Sequence, residues 1–234
     1  MKYWNWKKTS ISVAAAVVVF GAAVNTNPVI ASAMDNIPVV GDVAKVVTFR
    51  NFTDTANNHQ ADIMVPQLKQ GSPVNDEIRA YVDTILAEYD KETAKKSQGG
   101  QFCVHTDYEV VTDTDKYISI RINTEVLQAG GEQRVKIFTV DKATGKAVSL
   151  LDYLGSKEKL AAATKDITAQ MKAQMQADES KSYFMGDDET ADGFKGLTGN
   201  ENFYLDKDGK TVVVFGEYEV APGSMGAVSF TLAE

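Results

Sequence analysis

The stretch FCVHTDYEVVTDTDKYISIRINTEVLQAGGEQRVKIFTVDKATGKAVSLL, residues 102–151, decides the fold. Phe102 to Val111, Tyr117 to Leu127, Arg134 to Val140 and Ala147 to Leu150 carry the β-branched and aromatic enrichment of strands. Thr112 to Asp115, Ala129 to Glu132 (with Gly130 and Gly131 at its centre) and Lys142 to Gly145 supply turn residues between them. Strands joined by such short connections pair antiparallel, so the stretch predicts a meander.

Working outward from the meander, the period changes from two to that of a helix. Ser72-Pro73 is a helix start, with Ser as cap and Pro at the first position, where its missing N–H costs nothing. Ile78, Val82, Ile85, Leu86 and Tyr89 follow at helical spacing, and the helix should run to about Lys95 before Ser97 to Gly100 end it. Ahead of it, Val43 to Phe52 reads as a strand, residues 53–60 as a turn, and Ile63 to Val65 as a brief strand ended by Pro66. Beyond the meander, a second helix starts near Ser156 with Leu160, Ala163, Ile167, Met171 and Met175 on one face. Phe203 to Leu205 and Thr211 to Phe215 flank the turn Asp206-Lys207-Asp208-Gly209, and Ala227 to Leu232 is a last strand. Strands, helix and strands, twice over, predict an α+β fold: antiparallel sheets with two main helices packed on one face.

The N-terminus is a different kind of segment. It reads MKYWNWKK, an apolar run from Ile11 to Val24, then Asn25-Thr26-Asn27-Pro28 and Val29-Ile30-Ala31-Ser32-Ala33-Met34. A basic region, an apolar core and an Ala-x-Ala site are the parts of a signal peptide, with Ala31 and Ala33 flanking a cut before Met34. Residues 9–31 could instead anchor the chain in a membrane, with Tyr3, Trp4 and Trp6 at the interface and the lysines inside. Export is expected in either case. Of 24 Lys and Arg, Lys2, Lys7 and Lys8 precede residue 34 and none of the 32 Asp and Glu does, so the remainder holds 21 bases against 32 acids, a net of −11. That balance argues against a nucleic-acid partner. Cys103 is the only cysteine and reads as a small buried hydrophobe.

Motifs for catalysis are missing. His59 and His105 stand far apart without HExxH or a Cys pair, so no metal site is expected. There is no GxSxG elbow, no phosphate-cradling glycine loop and no cofactor motif; Gly223-Ser224-Met225-Gly226 has the wrong spacing for the elbow, and Ser224 reads as a turn residue. Asp188, Thr190, Asp192 and Gly193 match the first half of a calcium loop, but its twelfth place is Gly199 rather than a bidentate acid, which favours a solvated acidic loop. A binding module, not an enzyme, is expected.

The last third spells Asn202-Phe203-Tyr204-Leu205-Asp206-Lys207-Asp208-Gly209-Lys210, then Val212 to Phe215, then Tyr218-Glu219-Val220-Ala221-Pro222-Gly223-Ser224-Met225-Gly226. This resembles the exported domain of RsiV-type anti-sigma factors, the region known as DUF3298, often preceded by DUF4163. Ile37-Pro38-Val39-Val40-Gly41 with Val46 to Arg50 is similar to that family's juxtamembrane segment. The resemblance implies four parts: 1–33 a signal peptide or anchor, 34–60 a juxtamembrane segment and first strand, 61–151 a DUF4163-like half and 152–234 a DUF3298-like half. It also implies a single-pass protein of a bacterial, Gram-positive cell membrane, or one secreted after cleavage, with its C-terminal domain outside.

By the same resemblance the outer domain binds lysozyme and is released by signal peptidase. Tyr218, Glu219, Pro222, Gly223, Ser224 and Met225, with Gly130 and Gly131, are its candidate partner contacts. The acidic charge complements a cationic partner. Since only ten residues precede Ile11, the family's sigma-binding segment is missing from the sequence, and a sigma factor is not expected as its partner; either the start lies upstream or the sensor has lost its output. The alternative is a cell-wall glycan-binding accessory module without catalysis.

Overall fold

The computed structural model describes residues 46–56, 59–68, 71–94, 101–128, 130–186 and 193–233. The candidate cleavage site at Ala31, Ala33 and Met34, the juxtamembrane residues 36–41 and the acidic loop 187–192 lie outside them.

Among the described residues the fold is α+β, with a six-stranded and a three-stranded sheet. The larger runs in chain order: β1 (Val47–Ala56), β2 (His59–Gln67), β3 (Phe102–Asp113), β4 (Tyr117–Leu127), β5 (Gly131–Asp141) and β6 (Lys146–Ala147). Helix α1 (Val74–Thr93) joins β2 to β3, and this connection corrects the expectation of purely antiparallel pairing: β2 and β3 are parallel. Parallel neighbours need a long crossover, and a helix of 20 residues supplies one. Residues 53–56 and 59–60 are correspondingly strand rather than part of a turn, and Pro66 sits inside β2, opposite Thr48 beside a register shift.

Pro73 has helical backbone angles but stands at the cap position, one place later than expected for the cap and without a side-chain cap hydrogen bond, so α1 begins at Val74, whose N–H donates to the Gly145 carbonyl at 3.1 Å. Asn75, buried, accepts from the Leu68 N–H and donates to the Leu68 carbonyl, fixing the helix entry. Val74, Ile78, Val82, Ile85 and Tyr89 then bury one stripe against Ile63, Val104, Ile118, Ile120 and Ile122 of the sheet. Each such side chain contributes about 1.5–3 kcal/mol on leaving water.

The meander's last segment also departs from expectation. Only Lys146–Ala147 pair with β5; Ser149 then caps a short helix, α2 (Leu150–Leu154), its hydroxyl accepting from the Asp152 N–H. Ser156 caps α3 (Lys157–Ala177) as its position predicts. Leu160, Ala163, Ile167 and Met171 bury against Val213, Phe215 and Phe230 of the second sheet, β7 (Asn202–Leu205), β8 (Thr211–Phe215) and β9 (Val228–Thr231). The two long helices therefore cover different sheets rather than a common face, because each apolar stripe is matched by its own apolar strands. Gly209, at φ 79°, turns β7 into β8.

A bulge joins the two sheets. Up to Val110 the odd residues of β3 stand beside the odd residues of β4, as Glu109 does beside Arg121. The register shift between Val110 and Thr112 reverses that parity, so Thr112 stands beside Ser119, which stands beside Thr139. Thr112 then bonds both the N–H and the carbonyl of Leu205 at 2.8 and 2.7 Å, and Thr139 donates to the Phe203 carbonyl at 2.6 Å. Val135 and Ile137 pack on Val212 and Val214 alongside.

Candidate functional site

Where the second half meets the β4–β5 hairpin, a groove of about 470 Å³ opens. One wall is Glu125, Leu127, Gly131, Glu132 and Gln133; the other is Glu217 with Gly223, Ser224, Met225 and Gly226. Leu127 and Tyr218, at 54% and 58% exposure, are the large hydrophobic side chains left open among the described residues. Both belong to this region: Leu127 lines the hairpin wall, and the Tyr218 ring lies on Gly223.

The loop wall is built on tight local geometry. Pro222 leads into a 3-10 turn, Gly223–Met225, closed by hydrogen bonds from the Met225 N–H to the Pro222 carbonyl and from the Gly226 N–H to the Gly223 carbonyl. A Cβ on Gly223 would come within 2.3 Å of the Tyr218 ring, so glycine is the residue that lets the ring settle there. Tyr218 itself has φ 67°, a strained value for a bulky residue, held by this packing. The Met225 sulfur accepts from the Ser182 N–H at 3.3 Å.

The hairpin wall is braced from behind. Arg134 forks between Glu88 of α1, at 2.5 and 3.0 Å, and Glu132, at 2.8 Å to each carboxylate oxygen. The guanidinium holds the Glu132 carboxyl below the usual carboxylate range. On the opposite face of the sheet from Arg134, Glu125 and Leu127 follow Arg121 and Asn123 at the period of two.

Of the residues singled out in the sequence, Gly131, Gly223, Ser224 and Met225 line the groove. Gly130 lies at the exposed hairpin tip and Pro222 at the base of the turn. Glu219 is not part of the lining; its carboxylate turns back to Gly216, with an oxygen 3.0 Å from where a Cβ there would lie. Glu219 is exposed as a residue, but desolvation of its carboxylate where it turns back on the chain pushes it up; Glu201 adds to this, and the Gly216 amide and Lys136 oppose it. Sequence reasoning missed Glu125, Leu127, Glu132, Gln133, Glu217 and Gly226. Leu127 carried a signal, an apolar residue ending a polar strand face.

His59 accepts from the Phe102 N–H, and His105 lies 3.6 Å from Asp62; neither reaches the groove. Cys103 is half-buried rather than buried, since it shares that open sheet face beside Leu127. Among the described residues no group of three His, Cys, Asp or Glu side chains is placed to hold a metal ion. None of the described helices is long and apolar enough to cross a membrane.

Such a groove, with carboxylates on both walls and open hydrophobic side chains at its margins, is suited to gripping a surface. Residues 154–233 match the family described as a protein of unknown function, DUF3298. Among solved structures, a DUF3298 family protein from Pseudomonas aeruginosa PAO1 shares the fold, with a TM-score of 0.55 at 16% identity over 82% of this chain and 92% of that one. A DUF3298 family member from Bacteroides fragilis NCTC 9343 superimposes with a TM-score of 0.48 at 15% identity, over 82% of this chain and 91% of that one. The chain is also 34% identical over 230 residues to the anti-sigma-V factor RsiV of Bacillus subtilis (strain 168), covering 96% of this chain and 80% of the relative. The chain belongs to the RsiV anti-sigma factor family.

Proposed function

We propose that this chain is the extracytoplasmic sensor of an anti-sigma factor system, non-catalytic, and that the groove is where it binds a cationic protein, lysozyme. The observation that carries the proposal is the convergence of the Tyr218–Gly226 loop and the β4–β5 hairpin on one acidic groove beside exposed Leu127 and Tyr218. Open hydrophobic side chains at a partly charged rim are the usual composition of a protein interface. With a net of −11 beyond residue 33, encounter with a basic partner is steered and weakens with salt. Lysozyme seated here would also have its own cleft occupied, hence inhibited.

The N-terminal 33 residues act as membrane anchor or signal peptide, and signal peptidase cuts between Ala33 and Met34 once the ligand is bound. Family membership argues for a sigma factor as the kind of partner regulated, against the expectation drawn from the short stretch before Ile11.

Calorimetric titration of the detergent-solubilised chain with lysozyme, at low and high salt, tests the proposal. Salt-sensitive binding near equal stoichiometry supports it. Absence of binding at low salt, with retention on purified peptidoglycan, would replace it by the glycan-binding module.

A further inference from the structure

We propose that Glu217 is the positioning residue that sets the two walls of the groove against each other; this rests on the groove being the partner site. The exposed edge of β5 would otherwise present unpaired backbone groups. Along that edge the Thr139 carbonyl accepts from the Val148 N–H, and Asn202 bonds the Ile137 N–H and the Val135 carbonyl as a peptide would. At Gln133, where the groove begins, Glu217 takes over. Its N–H donates to the Gln133 carbonyl at 3.3 Å, and its Oε2 accepts from the Gln133 N–H at 2.6 Å.

The other carboxylate oxygen faces the opposite wall. Glu217 Oε1 lies 2.6 Å from where a Cβ on Gly223 would stand, so it rests directly on the turn that carries Ser224 and Met225. One side chain thus registers the hairpin with one oxygen and the loop with the other. Charge and reach are separable roles: aspartate keeps the charge and falls short by a methylene, while glutamine loses the charge and keeps an acceptor oxygen at the same reach.

The test compares Glu217→Asp, Glu217→Gln and the charge control Glu125→Gln in the full chain in detergent. Lysozyme affinity is measured by calorimetry and hydrogen exchange at the Gln133 amide by NMR. Glu217→Asp should weaken binding about tenfold, the loss of one charge-assisted hydrogen bond. It should speed exchange at Gln133 while the Ile120 and Ile122 amides stay protected. Glu217→Gln should keep Gln133 slow and lose no more affinity than Glu125→Gln. The reverse pattern, or unchanged Gln133 exchange in Glu217→Asp, overturns the positioning role. If the wild-type chain fails to bind lysozyme, the ligand assignment falls, and Gln133 exchange still decides for or against Glu217.

Discussion

Under α1 the six-stranded sheet presents Ile118, Ile120 and Ile122, fully buried, to an apolar helix stripe; on its other face it meets the second sheet through Thr112, Ser119 and Thr139 as well as valines. The first contact is non-directional, and many hydrophobic side chains of similar volume would satisfy it. The second is directional: threonine hydroxyls and the Asn202 amide must reach particular backbone groups of β7 and β5. Packing holds the first layer together, whereas hydrogen bonds decide where the second sheet stands, and with it where the groove opens.

The sharpest test of that contrast is Ile120→Ala, which should cost about 3–4 kcal/mol as a cavity in the apolar layer, read from urea unfolding. Thr139→Val keeps the volume in the other layer but leaves the Phe203 carbonyl and Ser119 hydroxyl short of a partner. About 2 kcal/mol is expected; a loss below about 0.5 kcal/mol would mean that the seam is held by packing alone. Gly223→Ala drives the Tyr218 ring off its seat, so, if the groove is the proposed partner site, it should lower affinity for the proposed partner, lysozyme, about tenfold while stability changes by less than about 1 kcal/mol. Equal damage to both would make the loop a structural prop rather than a binding wall.

The smallest expected effect is a pH dependence. The Glu219 carboxyl is raised first by local desolvation where it turns back on the chain, then by Glu201. A carboxyl raised in the folded state stabilises most below its unfolded value, and that stability is lost as pH rises through the raised value. Glu219→Gln removes the ionisation, so the variant should match the wild type in acid and unfold slightly later at neutral pH. A variant less stable than wild type at neutral pH would show that the charged form is favoured there.

Much of the fold was legible because its signals are local. Ser156 before an apolar stripe, Asp206 to Gly209 between two strands and the alternation of Tyr117 to Leu127 each specify an element within a few residues. The loop half of the site was legible too, through the Tyr218–Gly226 text, and the hairpin half partly, through Gly130 and Gly131. Glu125, Glu132 and Glu217 were not, since nothing in the sequence distinguishes them among 32 acidic residues. Only contact does so: Glu132 with Arg134, Glu217 with Gln133.

By itself, then, the sequence determined an α+β chain with a basic, apolar N-terminal segment, an acidic remainder and a turn-rich motif near its end, since composition and short-range periodicity carry these. Tertiary structure alone decided the parallel β2–β3 pair, the assignment of one helix to each sheet, and the groove. Each depends on residues far apart in the chain, such as Thr112 and Leu205 or Gln133 and Glu217, whose meeting is set by the bulge in β3 and the hydrogen bonds along the β5 edge.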